Sequence, residues 1–296
     1  MLSLIDRLKQ PGVLVADGAT GTMLVKAGLP RGSAPERWNL ENHEAVRTLH
    51  RNYIEAGSDI VLTNTFGGTR YRLERDNLAD RVVEINREAS RLAREVAGEK
   101  TYVFGDIGPL GQLLQPLGTL SYKDALHAFQ EQATGLAQGQ LDAILIETMA
   151  DISEAKAAIE GARQVSNLPI LVTMSFDTRG RTMMGLKPEQ AARELTALGV
   201  EMIGANCGRT LSETLAAIQA MREAVPNALL VAKPNAGLPR REPDINGQTT
   251  EIVYDVSPAE MAEYALKFSE QGVRIFGGCC GSTPDHIRAI SKALKQ

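Results

Sequence analysis

A short apolar segment followed by glycine or polar residues, and then by a segment of helical periodicity, recurs eight times along the chain. The apolar segments are residues 13–16, 60–62, 102–104, 143–146, 170–173, 202–204, 229–232 and 274–276. Segments this short, without alternation of apolar and polar residues, are typical of strands that are covered on both faces in a parallel sheet. Strands that alternate with helices predict an α/β fold.

The segments between the apolar runs carry helix signals. Ser257 precedes Pro258 and lies three residues before Glu260, which is the form of a capping box with proline at the first helical position. Eight strand–helix units in 296 residues predict a (β/α)8 TIM barrel that forms a single domain over residues 1–296. A doubly wound open sheet is the alternative, but it would more often have fewer strands and a glycine-rich phosphate loop after the first one.

Active sites of such barrels lie at the carboxyl ends of the strands. All three cysteines of the chain follow predicted strands at this end: Cys207 after the sixth, and Cys279 and Cys280 after the eighth. Strands six and eight are second neighbours around a closed barrel, so these side chains would converge above its axis. Glycines on both sides of the Cys279-Cys280 pair give the backbone freedom to turn both sulfurs inward.

Three converging thiolates favour zinc, and three protein ligands leave the fourth tetrahedral position open, as in catalytic zinc sites. Two other interpretations remain: each cysteine is a small buried apolar residue, or Cys279 and Cys280 form a strained vicinal disulfide. An odd number of cysteines argues against a disulfide framework.

Five motifs in the same order resemble those of the homocysteine S-methyltransferase family. They are Asp17-Gly18-Ala19-Thr20-Gly21-Thr22, Thr63-Asn64-Thr65-Phe66, Gly105-Asp106-Ile107-Gly108-Pro109, Asn206-Cys207 and Gly277-Gly278-Cys279-Cys280-Gly281. The resemblance extends from about residue 13 to residue 294. Within the family, Phe66-Gly67-Gly68-Thr69 and Lys233-Pro234-Asn235-Ala236-Gly237 are most similar to the homocysteine-binding domain of cobalamin-dependent methionine synthase.

The resemblance implies a (β/α)8 barrel with a zinc site formed by three cysteines, here Cys207, Cys279 and Cys280. It implies that the turn Asp17-Gly18-Ala19-Thr20 binds the carboxylate of the amino-acid substrate, largely through backbone N–H groups. It also implies that Glu147 meets the substrate ammonium group. Asn235 lies where this methionine synthase domain offers a side-chain oxygen as a fourth zinc ligand before the substrate arrives.

The function implied is a zinc-dependent methyltransferase that forms methionine from homocysteine. Its methyl donor is expected to be a methylated corrinoid, free or carried by a corrinoid protein, with a methylsulfonium or betaine as alternatives. Another thiol or selenol as acceptor is a second alternative. Full cobalamin-dependent methionine synthases carry further modules after this barrel, whereas the sequence ends at Gln296. A homocysteine-binding module without turnover of its own is therefore a third alternative.

Charge and hydropathy restrict the remaining classes of function and location. The formal net charge of −4 argues against a nucleic-acid-binding surface. The first nine residues form no apolar signal segment and no stretch has the length of a membrane span, so the expected location is the cytoplasm.

The four histidines fall in predicted helices, and we interpret them as helix-surface residues. The polar segment 237–256, with Asn246-Gly247 as a hairpin turn signal, is expected to cover the zinc or to meet the donor.

Overall fold

A computed structural model describes residues 1–243 and 250–295 of the chain. The strands in chain order are β1 (Leu14–Val15), β2 (Ile60–Leu62), β3 (Tyr102–Ile107), β4 (Ala143–Met149), β5 (Ile170–Met174), β6 (Met202–Cys207), β7 (Leu230–Pro234), β8 (Pro239–Pro243), β9 (Thr250–Tyr254) and β10 (Val273–Phe276). Eight of them form one parallel sheet in the order β1-β10-β7-β6-β5-β4-β3-β2. A parallel bridge between Ala16 and Ile60 joins its two edges, so the predicted (β/α)8 barrel is confirmed and the open sheet is wrong.

Helices connect the barrel strands and lie outside them. They are α1 (Leu4–Lys9), α2 (Thr20–Lys26), α3 (Trp38–Glu41), α4 (His43–Glu55), α5 (Arg70–Leu73), α6 (Val82–Ala97), α7 (Tyr122–Ala137), α8 (Ile152–Arg163), α9 (Pro188–Ala197), α10 (Leu211–Ala224), α11 (Pro258–Glu270) and α12 (Pro284–Leu294). The predicted start of α11 is observed, since the Glu260 N–H donates to the Ser257 hydroxyl. In the described part of the chain, no helix has the length and apolarity to cross a membrane.

Each barrel strand is buried on both faces, as its uninterrupted apolar sequence predicts. Inward-facing side chains of the strands, among them Phe104, Leu145 and Met202, form one cluster inside the barrel. Leu4 and Leu8 of α1 join this cluster and cover the barrel's amino-terminal end. Outward-facing side chains pack with the helices in a second, larger cluster. Because α1 covers the amino-terminal end, the carboxyl-terminal end is the one available for a functional site.

Five strands, β3 to β7, end later than the apolar pattern predicts. Four of them, β3, β4, β6 and β7, continue through polar residues, because pairing with a neighbouring strand extends beyond the apolar run. Asp106 pairs with Leu145, and Cys207 pairs with Pro234. Glu147 likewise lies within β4. These polar residues are thus held by the sheet and not by a loop.

Two other predictions need revision. His50 and His286 are buried, with 1% and 7% exposure, so the interpretation of all four histidines as surface residues is wrong. Segment 237–256 contains the antiparallel pair β8–β9, whereas the predicted turn at Asn246-Gly247 lies outside the described residues.

Candidate metal and substrate site

The three cysteines meet at the carboxyl end of the barrel. Cys207 is the last residue of β6, while Cys279 and Cys280 follow β10. Strand β7 alone separates β6 from β10 in the sheet, so the side chains converge across it. The three sulfur atoms lie within 4.8 Å of one another, and the Cys207 and Cys279 sulfurs are 3.0 Å apart.

The donor set fits a zinc ion. Sulfurs bound at ~2.3 Å to one tetrahedral ion lie about 3.8 Å apart, which falls between the 3.0 Å contact of Cys207 with Cys279 and the 4.8 Å limit for all three sulfurs. Hydrogen bonds from the Cys207 and Cys279 thiols lower the pKa of Cys280 to about 3. Hydrogen bonds to Cys279 and Cys280, together with burial, raise the pKa of Cys207 well above its usual value. The cluster thus holds one negative charge readily, and a divalent cation would be needed to hold three.

The backbone around Cys207 adopts an uncommon conformation. Cys207 has φ of 56° and Thr148, across the barrel rim, has φ of 64°, both in the left-handed region. The buried Asn206 amide bonds Thr148 twice: it accepts from the Thr148 N–H at 2.7 Å and donates to the Thr148 hydroxyl at 2.6 Å. Asn206 also accepts from the Thr173 hydroxyl at 2.7 Å. This network fixes the strand ends behind Cys207. The left-handed backbone conformations of Cys207 and Thr148 are strained, and backbone strain is concentrated at functional sites.

Asn235 connects the two segments that carry the cysteines. Its side-chain oxygen accepts from the Cys280 N–H at 3.0 Å, and its side-chain nitrogen donates to the Gly208 carbonyl at 2.8 Å. The oxygen predicted to reach the metal is therefore occupied in this structure by a backbone hydrogen bond. Its role as a fourth ligand stays a prediction.

A cluster of buried charges lies beside the cysteines. The Lys233 ammonium is 3.1 Å from a Glu147 carboxylate oxygen and 3.9 Å from one of Asp17. Burial disfavours the charge on Lys233, but Glu147, Asp17 and Asp106 outweigh burial and raise the pKa of the ammonium. Burial also raises the pKa of Asp106 well above its usual value, and the negative charge of Glu147 adds to the effect.

The cluster has unused capacity to bind a cation. One oxygen each of Asp17 and Asp106 is buried without a hydrogen-bond partner among the described residues. Three carboxylates face a single ammonium, so a second ammonium would find a complementary environment. Asp106 and Lys233 directly follow or lie near the ends of predicted strands and occur in the motifs given above, but neither was predicted to have a site role. The signal for Lys233 was a lysine directly continuing the apolar run 229–232.

The turn from Asp17 to Thr20 packs against the segment that follows the paired cysteines. The Gly278 N–H donates to the Asp17 carbonyl, and the Ala19 N–H donates to the Ser282 carbonyl. A Cβ at Gly18 would lie 2.8 Å from the Ser282 carbonyl oxygen, so only glycine fits. Helix α2 then begins at Thr20, and no side chain caps its first turn. The backbone N–H groups of that turn are suited to bind an anion.

One cavity of about 350 Å³ joins these elements. Its lining includes the three cysteines and four of the five residues predicted to bind the substrate: Gly18, Ala19, Thr20 and Glu147. Asp106 and Lys233 also line it. Asp17 does not, and its second carboxylate oxygen accepts from the Leu62 N–H at 2.8 Å, which links β1 to β2.

The chain is similar in sequence and in fold to known proteins. The model of a family described as homocysteine S-methyltransferase matches residues 14–294. Methionine synthases of Mycobacterium leprae and Mycobacterium tuberculosis are 35% and 36% identical to the chain over 98% of its length. The chain spans 25% of the length of each of these relatives.

Solved structures have the same fold. The metallated form of the homocysteine methyltransferase MmuM from Escherichia coli superposes with a TM-score of 0.81 at 21% identity, covering 98% of this chain and 99% of that one. The oxidized form of the same protein gives a TM-score of 0.80 at 22% identity, covering 98% of each chain. At this level of identity the likeness concerns the barrel itself.

Proposed function

The chain belongs to the homocysteine S-methyltransferase family, and on this premise we propose that it activates homocysteine as a thiolate that accepts a methyl group to form methionine. The observation that carries the proposal is the position of three cysteine sulfurs, within 4.8 Å of one another, in the same cavity as a buried cluster of carboxylates. This pairing suits a substrate that has both a thiol and an ammonium group.

Cys207, Cys279 and Cys280 are the proposed zinc ligands. When bound, zinc supplies the positive charge that lowers the pKa of an incoming thiol, which is otherwise about 8.5. The protein's own contribution is to hold the three sulfurs in place. Asn206 fixes the end of β6 behind Cys207, and Asn235 joins the Cys280 N–H to the Gly208 carbonyl. No histidine base is required by this chemistry.

The ammonium group of homocysteine is proposed to bind between Asp106 and Glu147. Both carboxylates line the cavity, and Asp106 has an oxygen without a hydrogen-bond partner among the described residues. Burial raises the pKa of Glu147, and the paired Lys233 ammonium opposes this rise and orients the carboxylate. Asp106 is therefore the main new contact, since Glu147 already has one partner.

The carboxylate of homocysteine is proposed to bind the turn Gly18-Ala19-Thr20 and the first turn of α2. The Ala19 N–H is already bonded to Ser282, so the uncapped groups from Thr20 onward are the available donors. Asp17 holds the turn in place. Its side-chain carboxylate accepts from the Leu62 N–H of β2, and its backbone carbonyl accepts from the Gly278 N–H. We propose no direct substrate contact for Asp17, which differs from the prediction made from sequence.

The donor is proposed to be a methylated corrinoid, because the relatives with 35% and 36% identity are methionine synthases. A methylsulfonium and betaine are the other candidate donors carried over from the sequence analysis. A homocysteine-binding module without turnover of its own is favoured by one fact, namely that the chain spans 25% of the length of its methionine synthase relatives.

The test is methionine formation by the purified, zinc-loaded chain with homocysteine and each donor in turn: methylcobalamin, a methylsulfonium amino acid and betaine. Turnover with one donor, abolished in Cys280→Ser, supports the enzyme and identifies the donor. Binding of homocysteine without turnover with any donor supports the binding module. If a zinc-loaded chain neither binds homocysteine nor forms methionine with any donor, the proposal is contradicted.

A further inference from the structure

Two segments at the rim of the barrel are proposed to bind opposite ends of homocysteine. The carboxylate turn, residues 17–20, binds the carboxylate in that proposal, and the cysteine segment, residues 277–282, carries two of the three sulfurs of the metal site. A substrate that engages both segments must have the right number of carbon atoms between its thiol and its carboxylate. Selectivity for homocysteine over the shorter free cysteine therefore depends on how the two segments are placed relative to each other.

A buried tyrosine lies where the two segments meet. The hydroxyl of Tyr53 donates to the Ala19 carbonyl at 2.8 Å and to the Ser282 carbonyl at 3.0 Å. The Ala19 N–H donates to the same Ser282 carbonyl at 3.0 Å, and the Gly278 N–H donates to the Asp17 carbonyl at 2.9 Å. The phenol of Tyr53 is thus the side chain that completes the hydrogen-bonded junction between the carboxylate turn and the cysteine segment.

The fold holds this hydroxyl in place. Tyr53 has 0% exposure and lies in helix α4, which packs against both α2 and α12. Helix α2 continues the carboxylate turn, and α12 begins two residues after the cysteine segment. A Cβ at Gly18 would lie 2.9 Å from the hydroxyl oxygen, so the hydroxyl is in close contact with the turn. Burial and the charge of Asp17 raise the pKa of Tyr53 well above its usual value, so the hydroxyl keeps its proton and remains a donor.

We propose that Tyr53 is a positioning residue that sets the spacing between the carboxylate turn and the cysteine segment, and thereby selects homocysteine over shorter amino-acid thiols. Tyr53 does not line the cavity, so it acts through Ala19 and Ser282 and not by contact with the substrate. Loss of the hydroxyl would leave the Ala19 carbonyl without this donor, and a buried carbonyl that loses its donor is costly, so the junction would relax. The proposal rests on the proposed function, since it presumes that the thiol and the carboxylate of the substrate bind at these two segments.

The test compares the Kd values of three thiols for zinc-loaded wild type and Tyr53→Phe by titration calorimetry. The thiols are homocysteine, free cysteine and homocysteamine, which is homocysteine without its carboxylate. We expect the Kd for homocysteine to rise about tenfold in Tyr53→Phe, the upper size of the effect of one neutral hydrogen bond. The Kd values for free cysteine and homocysteamine should stay unchanged, because neither thiol engages both segments. Selectivity for homocysteine over free cysteine should therefore fall about tenfold.

Tyr102→Phe is the matched control. The Tyr102 side chain is also buried and also donates to a backbone carbonyl, that of Leu2 at 3.0 Å, but Tyr102 begins β3 at the amino-terminal end of the barrel. This variant loses a similar hydrogen bond and should keep all three Kd values of the wild type. If all three Kd values rise together in Tyr53→Phe, the phenol only maintains the fold and the proposal is overturned. Kd values in Tyr53→Phe that equal those of the wild type would overturn it as well.

Hydrogen exchange of the zinc-loaded wild type gives a second measurement, which does not depend on the folding of a variant. Exchange is compared with homocysteine bound and with homocysteamine bound, so the difference isolates the effect of the substrate carboxylate. We expect the carboxylate to slow exchange in the carboxylate turn, in the cysteine segment and in α4 around Tyr53, because the junction couples them. Slower exchange confined to the turn would overturn the proposal. A wild type that binds zinc but not homocysteine contradicts the proposed function itself, whereas one that binds homocysteine and fails these tests loses only this inference.

Discussion

Lys233 is a buried ammonium with 3% exposure, surrounded by Glu147, Asp17 and Asp106. Removing one member of a buried ion pair leaves an uncompensated charge, which costs about 3 to 5 kcal/mol. We expect Lys233→Met to lower the free energy of unfolding by about 3 kcal/mol in urea denaturation. The control is Lys187→Met, whose exposed pair with Glu189 is worth less than about 1 kcal/mol. A Lys233→Met chain as stable as this control would contradict the role of Lys233 in the cluster.

Asp106 gives a prediction about binding. If its unpaired oxygen receives the substrate ammonium, Asp106→Asn should raise the Kd for homocysteine about 10- to 100-fold, the range for one hydrogen bond to a charged group. The same substitution should leave the Kd of the analogue without the amino group unchanged. Titration calorimetry with both thiols measures the two values. An equal loss for both would show that Asp106 maintains the site and does not contact the ammonium.

Sequence located the cysteines because three sulfurs at strand ends leave few alternatives. It did not identify Asp106 or Lys233 as site residues. Their roles depend on which strand ends lie at the same height in the barrel, and this does not follow from a local pattern. Charged residues at strand ends were visible, but their partners were not.

Among the elements, the apolar pattern located all eight barrel strands and placed most of their boundaries within one or two residues. It ended β3, β4, β6 and β7 two or three residues too early, because it counted only the apolar run as the strand. In this barrel those polar residues are in the sheet and face the cavity. The pairing of Asp106 with Leu145 shows that sheet hydrogen bonds, and not side-chain polarity, determine the end of the strand.

Helix α4 carries a buried histidine that the sequence did not reveal. Burial lowers the pKa of His50 to about 4, from an ordinary value of 6.5, and neither ring nitrogen has a hydrogen-bond partner in the described part of the chain. Above pH 6.5 the ring is neutral in both states and has no effect. As the pH falls from 6.5 to 4, the unfolded chain binds a proton that the folded chain does not, so stability decreases.

We therefore expect His50→Leu to lose about 2 to 3 kcal/mol less stability than wild type between pH 7 and pH 4.5 in urea denaturation. The comparison uses the difference between the two pH values, so any constant effect of the substitution cancels. His127→Leu, at an exposed position of α7, should behave like wild type. If wild type and His50→Leu lose the same amount, the ring is not neutral and buried at low pH.

At the scale of the whole molecule, both backbone and side-chain hydrogen bonds join the edges of the sheet. The Asp59 N–H donates to the Val15 carbonyl at 2.7 Å. Between β1 and β2 there is one bridge, Ala16 to Ile60. Asp59 accepts from the Val15 N–H at 2.9 Å, and Asp17 accepts from the Leu62 N–H at 2.8 Å. The carboxylates of Asp17 and Asp59 thus contribute to closure, whereas the sequence analysis placed Asp17 in the substrate-binding turn and gave Asp59 no role.

A barrel closed in this way should unfold as one cooperative unit over residues 1–296. Trp38, the single tryptophan, is buried in the same apolar cluster as residues of α7, α10 and α12. Its fluorescence and the far-ultraviolet circular dichroism of all helices should therefore give one coincident transition in urea. Two separated transitions would show that the chain contains more than one folding unit.

The central claim is that three cysteines form a zinc site that binds the substrate sulfur, and zinc content measured with and without homocysteine tests it most directly. We predict about one zinc ion per reduced wild-type chain, bound zinc lost in Cys207→Ser and in Cys280→Ser, and a sulfur from homocysteine entering the metal shell on X-ray absorption. A reduced wild-type chain that takes up no zinc when supplied with the metal would contradict the account, and the carboxylate cluster would then belong to a barrel with different chemistry.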